Sequence, residues 1–218
     1  MPRSKADDSQ PIVLIVDDDA AVREALQELI LSAGLQAASF ASTRELLESG
    51  FMDRPGCLIL DVRMPGTSGL ELQRQFADNG IVKPIIFLTG HGDIPMTVQA
   101  MKHGAVDFLT KPVRDQTLLD SVVAAIGRDA IERVRAEAVK KAVTRLETLT
   151  PREREVIAEV ARGRLNKQIA FDLGISEVTV KLHRGNVMRK MQVGSVGELI
   201  RAWELLPPDL RTPANSHG

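Results

Sequence analysis

Acidic, hydroxyl and basic side chains stand at the ends of four strand-like apolar runs in the amino-terminal half of this sequence. Asp17 and Asp18 follow the first run, Asp61 follows another, and Thr89 and Lys111 end two later ones. In an open α/β sheet, groups at the carboxyl ends of parallel strands share one edge, where ligands bind. We therefore expect these five side chains to form one polar site.

Three neighbouring carboxylates define the chemistry expected of this site. Like charges a few ångströms apart repel one another, and a hard divalent cation, Mg²⁺ or Mn²⁺, relieves that repulsion. A metal ion held there neutralises an incoming phosphoryl group, towards which the Asp61 carboxylate is a competent nucleophile. The Lys111 ammonium and the Thr89 hydroxyl can each bind a phosphoryl oxygen. These residue types together indicate an aspartyl-phosphate site.

The segments that must position these residues alternate between strand and helix. Apolar runs typical of buried parallel strands occupy residues 11–16, 36–40, 57–60, 84–89 and 106–110. Helical patterns lie between them, over 20–32 with Asp19 as the expected cap, after capping boxes at Ser42 and Ser68, and over 97–102. This alternation predicts a doubly wound parallel five-stranded sheet of the flavodoxin-like kind.

The carboxy-terminal part of the sequence predicts four helices. The first begins at a capping box over 150–153, and the others are expected over 166–173, 177–190 and 195–203. Gly174 to Ser176 forms the tight turn between the second and third helices. A short helix, a turn with glycine and a longer helix define a helix-turn-helix.

The helix-turn-helix is the basic part of the chain. Residues 162–190 contain seven Lys and Arg against two Asp and Glu, whereas residues 1–114 contain eleven against fifteen. This asymmetry favours nucleic acid as a partner of the second domain. On the third helix we expect Val178, Val187 and Met191, and in part Leu182, to contact the core of that domain.

A connecting segment over residues 115–149 contains no proline and a single glycine, Gly127. Apolar residues at helical spacing up to Ile126 predict the last helix of the first domain, and the pattern continues to Leu146. We expect a long linker helix, either continuous or kinked near Gly127. Its apolar stripe is compatible with a coiled-coil seam and equally with packing onto the chain's own domains.

Composition excludes several classes of protein. The 218 residues, of which 44% are hydrophobic, suffice for two domains with cores of their own. The single cysteine, Cys57, rules out a disulfide framework and is expected to act as a small buried apolar side chain. Residues 1–10 lack the apolar segment of a signal peptide, and no run approaches the roughly 20 residues of a membrane span. We expect a cytoplasmic protein with no membrane partner.

Five motifs, in this order and at these spacings, resemble those of the receiver domain of two-component response regulators: Val16-Asp17-Asp18, Leu60 to Pro65, Gly69-Leu70, Leu88-Thr89-Gly90 and Thr110-Lys111-Pro112. The resemblance implies that Asp61 accepts a phosphoryl group from a sensor histidine kinase. It also implies that Asp18, Asp61 and the backbone carbonyl of Arg63 bind Mg²⁺, with Asp17 acting mainly through water.

The receiver resemblance assigns a switch role to the aromatic residue shortly before the lysine, here Phe108. Many relatives have tyrosine at this position, and an ordinary core side chain is an equal alternative for Phe108. The resemblance also implies a cis Lys111–Pro112 bond. It implies a dimer face formed by the helix from Thr97, the strand at Val106 and the helix from Asp115.

The end of the chain resembles the LuxR-type DNA-binding domain over residues 149–206, through Leu149 to Glu153, Gly163, Asn166 to Ala170, Leu173 to Ser176, Thr179 to Lys181 and His183-Arg184. The resemblance places the third helix in the major groove. It implies that the candidates for contacts with base edges are Lys181, Leu182 and Arg184. The candidates for contacts with phosphates are Lys167, Thr179 and Asn186. For Gly185, where relatives often have a longer residue, we expect close backbone approach instead of a base contact.

Both resemblances together predict a phosphorylation-activated response regulator, similar to regulators of nitrogen fixation and aromatic-hydrocarbon breakdown. The predicted parts are a receiver domain over 11–126, a linker helix over 127–148, a DNA-binding domain over 149–206, and flexible tails at 1–10 and 207–218. Phosphorylation is expected to promote a homodimer that binds double-stranded promoter DNA, with RNA polymerase as a candidate further partner. No catalysis is expected beyond the receiver's own phosphoryl transfer and dephosphorylation.

Two other functions remain as alternatives. One is an aspartyl-phosphate hydrolase of the haloacid-dehalogenase kind, although that family has a second Asp two residues after the nucleophile, where this chain has Arg63. The other is a DNA-binding regulator that works without phosphate, against which the intact set of Asp61, Thr89 and Lys111 argues. DNA affinity measured with and without a small phosphodonor distinguishes these functions.

Overall fold

Strand and helix alternate through the first half of the chain, as the apolar runs predict. The computed structural model describes residues 9–90 and 93–211. The chain divides into two units between Arg133 and Val134, inside the range predicted as the linker helix. Each unit has its own apolar core, so the two are described separately.

The amino-terminal unit is a five-stranded parallel sheet with helices on both faces. Its strands are β1 (Ile12–Val16), β2 (Gln36–Phe40), β3 (Gly56–Leu60), β4 (Ile85–Thr89) and β5 (Asp107–Thr110). Its helices are α1 (Ala20–Ser32), α2 (Thr43–Glu48), α3 (Gly69–Asp78), α4 (Ile94–Lys102) and the first part of α5 (Asp115–Glu147). The strand order is β2-β1-β3-β4-β5, and every pairing is parallel. The predicted flavodoxin-like fold is confirmed.

Two apolar layers cover the sheet, one on each face. Leu46, Leu72 and Ala100 from α2, α3 and α4 pack on one face. Residues of α1 and α5, among them Ile30 and Leu118, pack on the other. The central strands β1, β3 and β4 are therefore buried throughout, which explains why their sequences are continuous apolar runs instead of alternating ones.

Two local expectations on this unit are confirmed and one differs. Asp19 caps α1 by accepting from the backbone N–H groups of Ala21 and Val22, and the Lys111–Pro112 bond is cis. Helix α4, however, begins at Ile94, three residues before the predicted start. Asp93 caps it by accepting from the Met96 N–H at 2.8 Å, which gives an acceptor to one of the otherwise unpaired N–H donors of the first turn.

A polar cluster, here named the α5 anchor, holds α5 at the sheet edge opposite the carboxyl ends of the strands. Asp129 is buried and accepts from the Gly56 N–H at 2.8 Å and from Arg133 Nε at 2.7 Å. Arg133 also donates to the carbonyl oxygens of Asp53 and Arg54, at 3.0 and 2.8 Å. A buried carboxylate is stable only when it is paired and hydrogen-bonded, so these contacts allow Asp129 to lie inside the unit.

The carboxy-terminal unit contains α5 residues from 134 onwards and four further helices. These are α6 (Pro151–Ala161), α7 (Asn166–Leu173), α8 (Glu177–Met191) and α9 (Val196–Glu204), followed by a 3₁₀ helix over Pro208–Arg211. Its core includes Leu146, Ile157, Ile169 and Val187. Helical structure thus continues past Leu206 into the range predicted as the tail.

Helix α6 begins at the predicted capping box and is held to α8. Thr150 and Glu153 exchange side-chain and backbone hydrogen bonds. Lys190 of α8 donates to Glu153 at 2.6 Å. Burial opposes ionisation of Glu153, but the hydrogen bonds from Lys190 and Thr150 outweigh burial and lower its pKa. The capping residue that starts α6 therefore also fixes the basic end of α8.

A turn with a left-handed residue joins α7 to α8. Gly174 has φ 64°, a conformation that glycine adopts without steric cost. Ser176 then caps α8 by accepting from the Thr179 N–H at 3.1 Å. This turn sets the angle between the two helices and completes the predicted helix-turn-helix.

Candidate functional site

Two of the predicted acidic residues lie side by side because their strands are neighbours in the sheet. Val16 and Leu60, the last residues of β1 and β3, are register partners. The Asp61 N–H donates to the Val16 carbonyl at 2.9 Å, which extends the pairing to the first residue beyond the strand. The carboxylates of Asp17, Asp18 and Asp61 each present an oxygen within 4.8 Å of the others. The expected acidic cluster is therefore present.

Lys111 supplies the positive charge of this cluster. Its ammonium forms an ion pair with Asp17, and Nζ lies 3.9 Å from Asp61 Oδ2. Its backbone N–H donates to the carbonyl of Thr89 at 2.9 Å, so the ends of β4 and β5 are joined. Thr89 itself is buried at the end of β4. All five residues expected at the sheet edge thus lie at or just after the ends of strands.

Burial shapes the electrostatics of the cluster. Burial raises the pKa of Asp17, although hydrogen bonds from Lys111 and from the Asp19 N–H partly oppose this rise. Asp61 is also buried, and its Oδ1 accepts from the Val62 N–H at 2.8 Å. Asp18, by contrast, is exposed. The buried carboxylates are poorly solvated, so a cation at this point would stabilise their charged forms.

The donor set fits a magnesium ion. Mg²⁺ takes oxygen ligands, prefers carboxylates to nitrogen or sulfur donors, and keeps several waters. Three carboxylates within reach of one another meet the first condition. The exposure of Asp18 leaves the cluster open to solvent and so to metal-bound water. The residues present therefore suit a hard divalent cation.

Two residues to which the sequence reasoning gave no role support the cluster. Arg23 of α1 donates to the Asp17 backbone carbonyl at 2.7 Å, which fixes the loop after β1. Gly69 opens α3 so close to Asp61 that a Cβ atom would lie 2.3 Å from the Asp61 carbonyl oxygen. A motif with Gly69 was visible in the sequence, but the contact across eight residues was not.

Phe108, the candidate switch residue, packs against another aromatic ring. The Phe108 ring is partly buried and lies 5.9 Å from the Phe87 ring, at an angle of 42°. This packing suits an ordinary core residue as well as a switch. Gly90 is the last described residue of the loop after Thr89, because residues 91 and 92 lie outside the described ranges.

The second candidate site lies on α7 and α8. Lys167, Lys181 and Leu182 are exposed, as a nucleic-acid contact requires. Thr179 is half-buried and its hydroxyl lies 2.8 Å from that of Ser176. Asn186 is half-buried and accepts from Arg189 at 3.3 Å. These residues lie in one helix-turn-helix, with different access to solvent.

The side chains of α8 are not all placed as the sequence predicts. Val178 was expected to contact the core, and that expectation is wrong because Val178 is 76% exposed. Leu182, which was expected to contact the core in part, is 64% exposed. The buried residue is Val180, which lies seven residues before buried Val187 and so on the same helix face. Arg184, expected at a base edge, is half-buried and donates to Asn166 Oδ1 at 2.5 Å.

Cys57 behaves as expected of a small apolar side chain. It is buried in the core, and burial raises the pKa of its thiol to about 12. The thiolate, which is the reactive form, is therefore scarce at neutral pH. Within the described ranges, no helix has the length and apolar character needed to cross a membrane.

Each of the two units matches a known protein family. The family described as "Response regulator receiver domain" matches residues 13–123, and the family described as "Bacterial regulatory proteins, luxR family" matches residues 147–203. The chain belongs to the response regulators that join a receiver domain to a LuxR-type DNA-binding domain. Both resemblances seen in the sequence are confirmed.

The similarity to several known proteins extends across both units. Nodulation protein W of Bradyrhizobium diazoefficiens is 52% identical over 198 residues, which cover 91% of this chain and 87% of that protein. Response regulator protein TodT of Pseudomonas putida is 48% identical, over 93% of this chain and 89% of that protein. Among solved structures, the response regulator StyR has a TM-score of 0.77 at 45% identity, covering 90% of this chain and 99% of that one. Full-length FixJ from B. japonicum has a TM-score of 0.55 at 38% identity, with 90% and 97% covered.

The family matches bear on the hydrolase alternative. Both family matches are to regulatory domains, so the hydrolase alternative finds no support. The chain is a transcriptional response regulator of a two-component system.

Proposed function

We propose that Asp61 is the phosphoacceptor of this response regulator and receives its phosphoryl group from a sensor histidine kinase. The observation that supports this most is the meeting of Asp61 with Asp17, Asp18 and Lys111 at one sheet edge. In the transfer, an Asp61 carboxylate oxygen bonds to phosphorus while the phosphorus–nitrogen bond of the kinase's phosphohistidine breaks. The histidine nitrogen leaves with the electron pair of that bond.

Each neighbour of Asp61 has a distinct task in this proposal. Mg²⁺, held by Asp18, Asp61 and the Arg63 carbonyl and through water by Asp17, would supply charge neutralisation at the phosphoryl oxygens. Lys111 already lies within ion-pair distance of Asp61 and binds a phosphoryl oxygen once Asp61 is modified. Thr89 then donates its hydroxyl to a second phosphoryl oxygen. When Thr89 makes this contact, the Phe108 side chain turns towards the interior and acts as the aromatic switch.

Phosphorylation, in this proposal, strengthens pairing of two receiver domains and thereby DNA binding. Helix α8 enters the major groove, where Lys181 and Leu182 meet base edges. Lys167, Thr179 and Asn186 contact phosphates and so orient the domain. A regulator that acts on promoter DNA works in the cytoplasm of a bacterium, with RNA polymerase as a further partner.

The phosphoacceptor is tested by treating the full chain with acetyl phosphate and Mg²⁺. We expect intact-mass spectrometry to show one added phosphoryl group that hydroxylamine removes, and Asp61→Asn to add none. The exposed residue Asp78 at the end of α3 provides the matched control, because Asp78→Asn should label like the wild type. Full labelling of Asp61→Asn would refute the assignment.

The same samples test whether phosphate controls DNA binding. The phosphorylated chain should bind promoter DNA more tightly than the untreated chain, and Asp61→Asn should show no gain. Equal affinity of treated and untreated wild type, with the mass confirming full phosphorylation, would instead support a regulator that works without phosphate.

A further inference from the structure

One face of α8 exposes aliphatic side chains. Val178 and Leu182 lie one helical turn apart and are 76% and 64% exposed. Lys181 and Gly185 are exposed on the same face, at the spacing that places residues side by side on a helix. Adjacent exposed aliphatic residues gain free energy when another surface covers them. The face therefore has the character of a contact surface.

Gly185 ends this set of residues, and packing within the unit does not explain why it is glycine. A Cβ atom at Gly185 would meet nothing within 4 Å, so packing inside the unit does not require its absence. Glycine inside a helix costs up to about 1 kcal/mol relative to alanine. The missing side chain allows the surface of another molecule to approach the helix closely beside Leu182.

Arg184 does not belong to this face. Its guanidinium donates to Asn166 Oδ1 at 2.5 Å and is half-buried. Asn166 is the first residue of α7, so the hydrogen bond joins the start of α7 to the middle of α8. That contact fixes how the two helices of the helix-turn-helix are arranged, and it occupies the group expected to contact a base.

The charge of the surrounding sequence favours double-stranded DNA as the occupant of the exposed face. Residues 162–190 contain seven Lys and Arg against two Asp and Glu. Exposed Lys181 lies between Val178 and Leu182 in the sequence, and Arg189 is exposed further along the same helix. In the major groove, the C5 methyl of thymine is the apolar group that a base pair presents. Aliphatic side chains on a basic helix are therefore complementary to thymine.

We propose that Val178 and Leu182 contact thymine methyl groups in each half-site, and that Gly185 allows the close approach this needs. Arg184, in the same proposal, is a positioning residue that acts through Asn166 and makes no base contact. The proposal depends on the proposed DNA-binding function and adds the base that the α8 face selects.

The test begins by selecting a preferred duplex. The full chain, treated with acetyl phosphate and Mg²⁺, is used to enrich binding sequences from a duplex library with a randomised central region. The enriched duplex is then resynthesised with deoxyuridine replacing thymidine at one position at a time, which removes only the methyl group. At one or two thymines per half-site we expect affinity to fall about threefold to fivefold, as burial of one methyl group predicts.

Variants of the aliphatic pair show whether those methyl groups meet the proposed residues. Val178→Ala and Leu182→Ala should each lose the deoxyuridine effect at one of the sensitive thymines, because the contact is already absent. Val196→Ala, an exposed valine of α9, should retain the effect in full. The proposal is overturned if no thymine is sensitive or if both α8 variants keep every sensitivity. A chain that enriches no sequence would overturn the DNA-binding function itself.

The positioning role of Arg184 has a separate readout. Arg184→Ala and Asn166→Ala remove the same hydrogen bond from its two ends, so both should weaken binding to enriched and random duplexes in similar proportion. A second selection with either variant should return the same preferred bases. Arg184→Lys, which can still donate to Asn166, should recover affinity. Loss of preference at one base pair in Arg184→Ala alone would show that Arg184 contacts a base and would refute this part.

Discussion

Gly69 has no functional group, yet it sets how closely α3 approaches the phosphoacceptor. A Cβ atom at this position would lie 2.3 Å from the Asp61 carbonyl oxygen and 3.1 Å from the Phe87 ring. Gly69→Ala must therefore displace the loop after β3. We expect phosphorylation by acetyl phosphate to slow several-fold, and the free energy of unfolding to fall by about 1–3 kcal/mol, as overpacking usually costs.

Gly127→Ala is the matched control for this variant. Gly127 lies inside α5, and a Cβ atom there would meet nothing within 4 Å. The substitution should leave the phosphorylation rate unchanged and raise the free energy of unfolding by up to about 1 kcal/mol through helix propensity. If Gly69→Ala likewise left the phosphorylation rate unchanged and did not lower the free energy of unfolding, the close contact with Asp61 would not affect phosphorylation.

Lys83 makes the stability of the amino-terminal unit depend on pH. Burial lowers the pKa of Lys83 to about 8, although Asp129 opposes the change. Between about pH 8 and 10.5 the unfolded chain keeps a proton on this lysine that the folded chain has lost. The free energy of unfolding contributed by Lys83 should therefore rise with pH through this window.

Lys83→Met tests that dependence, because methionine has similar length and no amine. The wild type should gain stability relative to Lys83→Met as the pH rises from 8 to 10.5, by an amount on the order of 2 kcal/mol. Chemical denaturation at several pH values measures the difference. Lys140→Met, at an exposed position of α5, should show no such trend. A flat difference for Lys83→Met would mean that the buried ammonium keeps its proton.

At the scale of single elements, strand ends were predictable and partners between distant elements were not. The apolar runs fixed where β1 and β3 end, and parallel pairing then placed Asp17 beside Asp61. The local sequence also predicted the helix caps at Asp19 and Thr150. In contrast, Arg23 beside the Asp17 carbonyl depends on how α1 packs, which a local pattern does not specify.

Helix α8 shows why a periodic pattern can mislead. Its apolar residues 178, 180, 182 and 187 are compatible with two different buried faces. Packing against α6 and α7 selects Val180 and Val187, and the other pair becomes exposed. A local pattern does not specify where those neighbouring helices lie. The exposed face of α8 was therefore the part of the candidate site that could not be predicted from the sequence.

For the whole molecule, the proposed pairing of two receiver domains has a surface of suitable character. Ile94, Val98 and Met101 of α4 and Val123 of α5 are exposed aliphatic or thioether side chains near the β5 edge. If phosphorylation favours the conformation that pairs, phosphate shifts the population towards the dimer. Sedimentation should show a monomer before treatment with acetyl phosphate and Mg²⁺, and a dimer afterwards at micromolar concentration.

Ile94→Glu should prevent this dimer, because it places a charge on a residue that is 80% exposed in the single chain and covered in the pair. Leu31→Glu is the control, since Leu31 is an exposed leucine on α1, whose strand contacts are with β1 and β2. Its dimer should form normally. A fully phosphorylated wild type that stays monomeric would contradict the pairing proposal.

The α5 anchor determines where a chimera between two such regulators can be joined. A junction at residue 126, where the receiver was predicted to end, would remove Asp129 and Arg133. The Gly56 N–H and the Asp53 carbonyl would then lose these partners, and the Arg54 carbonyl would keep only its hydrogen bond from Lys83. An unpaired buried donor costs about 1–3 kcal/mol. A junction after Arg133 keeps these bonds with the sheet they serve. The interchangeable module is thus a receiver plus the first half of α5, and its seam lies in the interior of a helix.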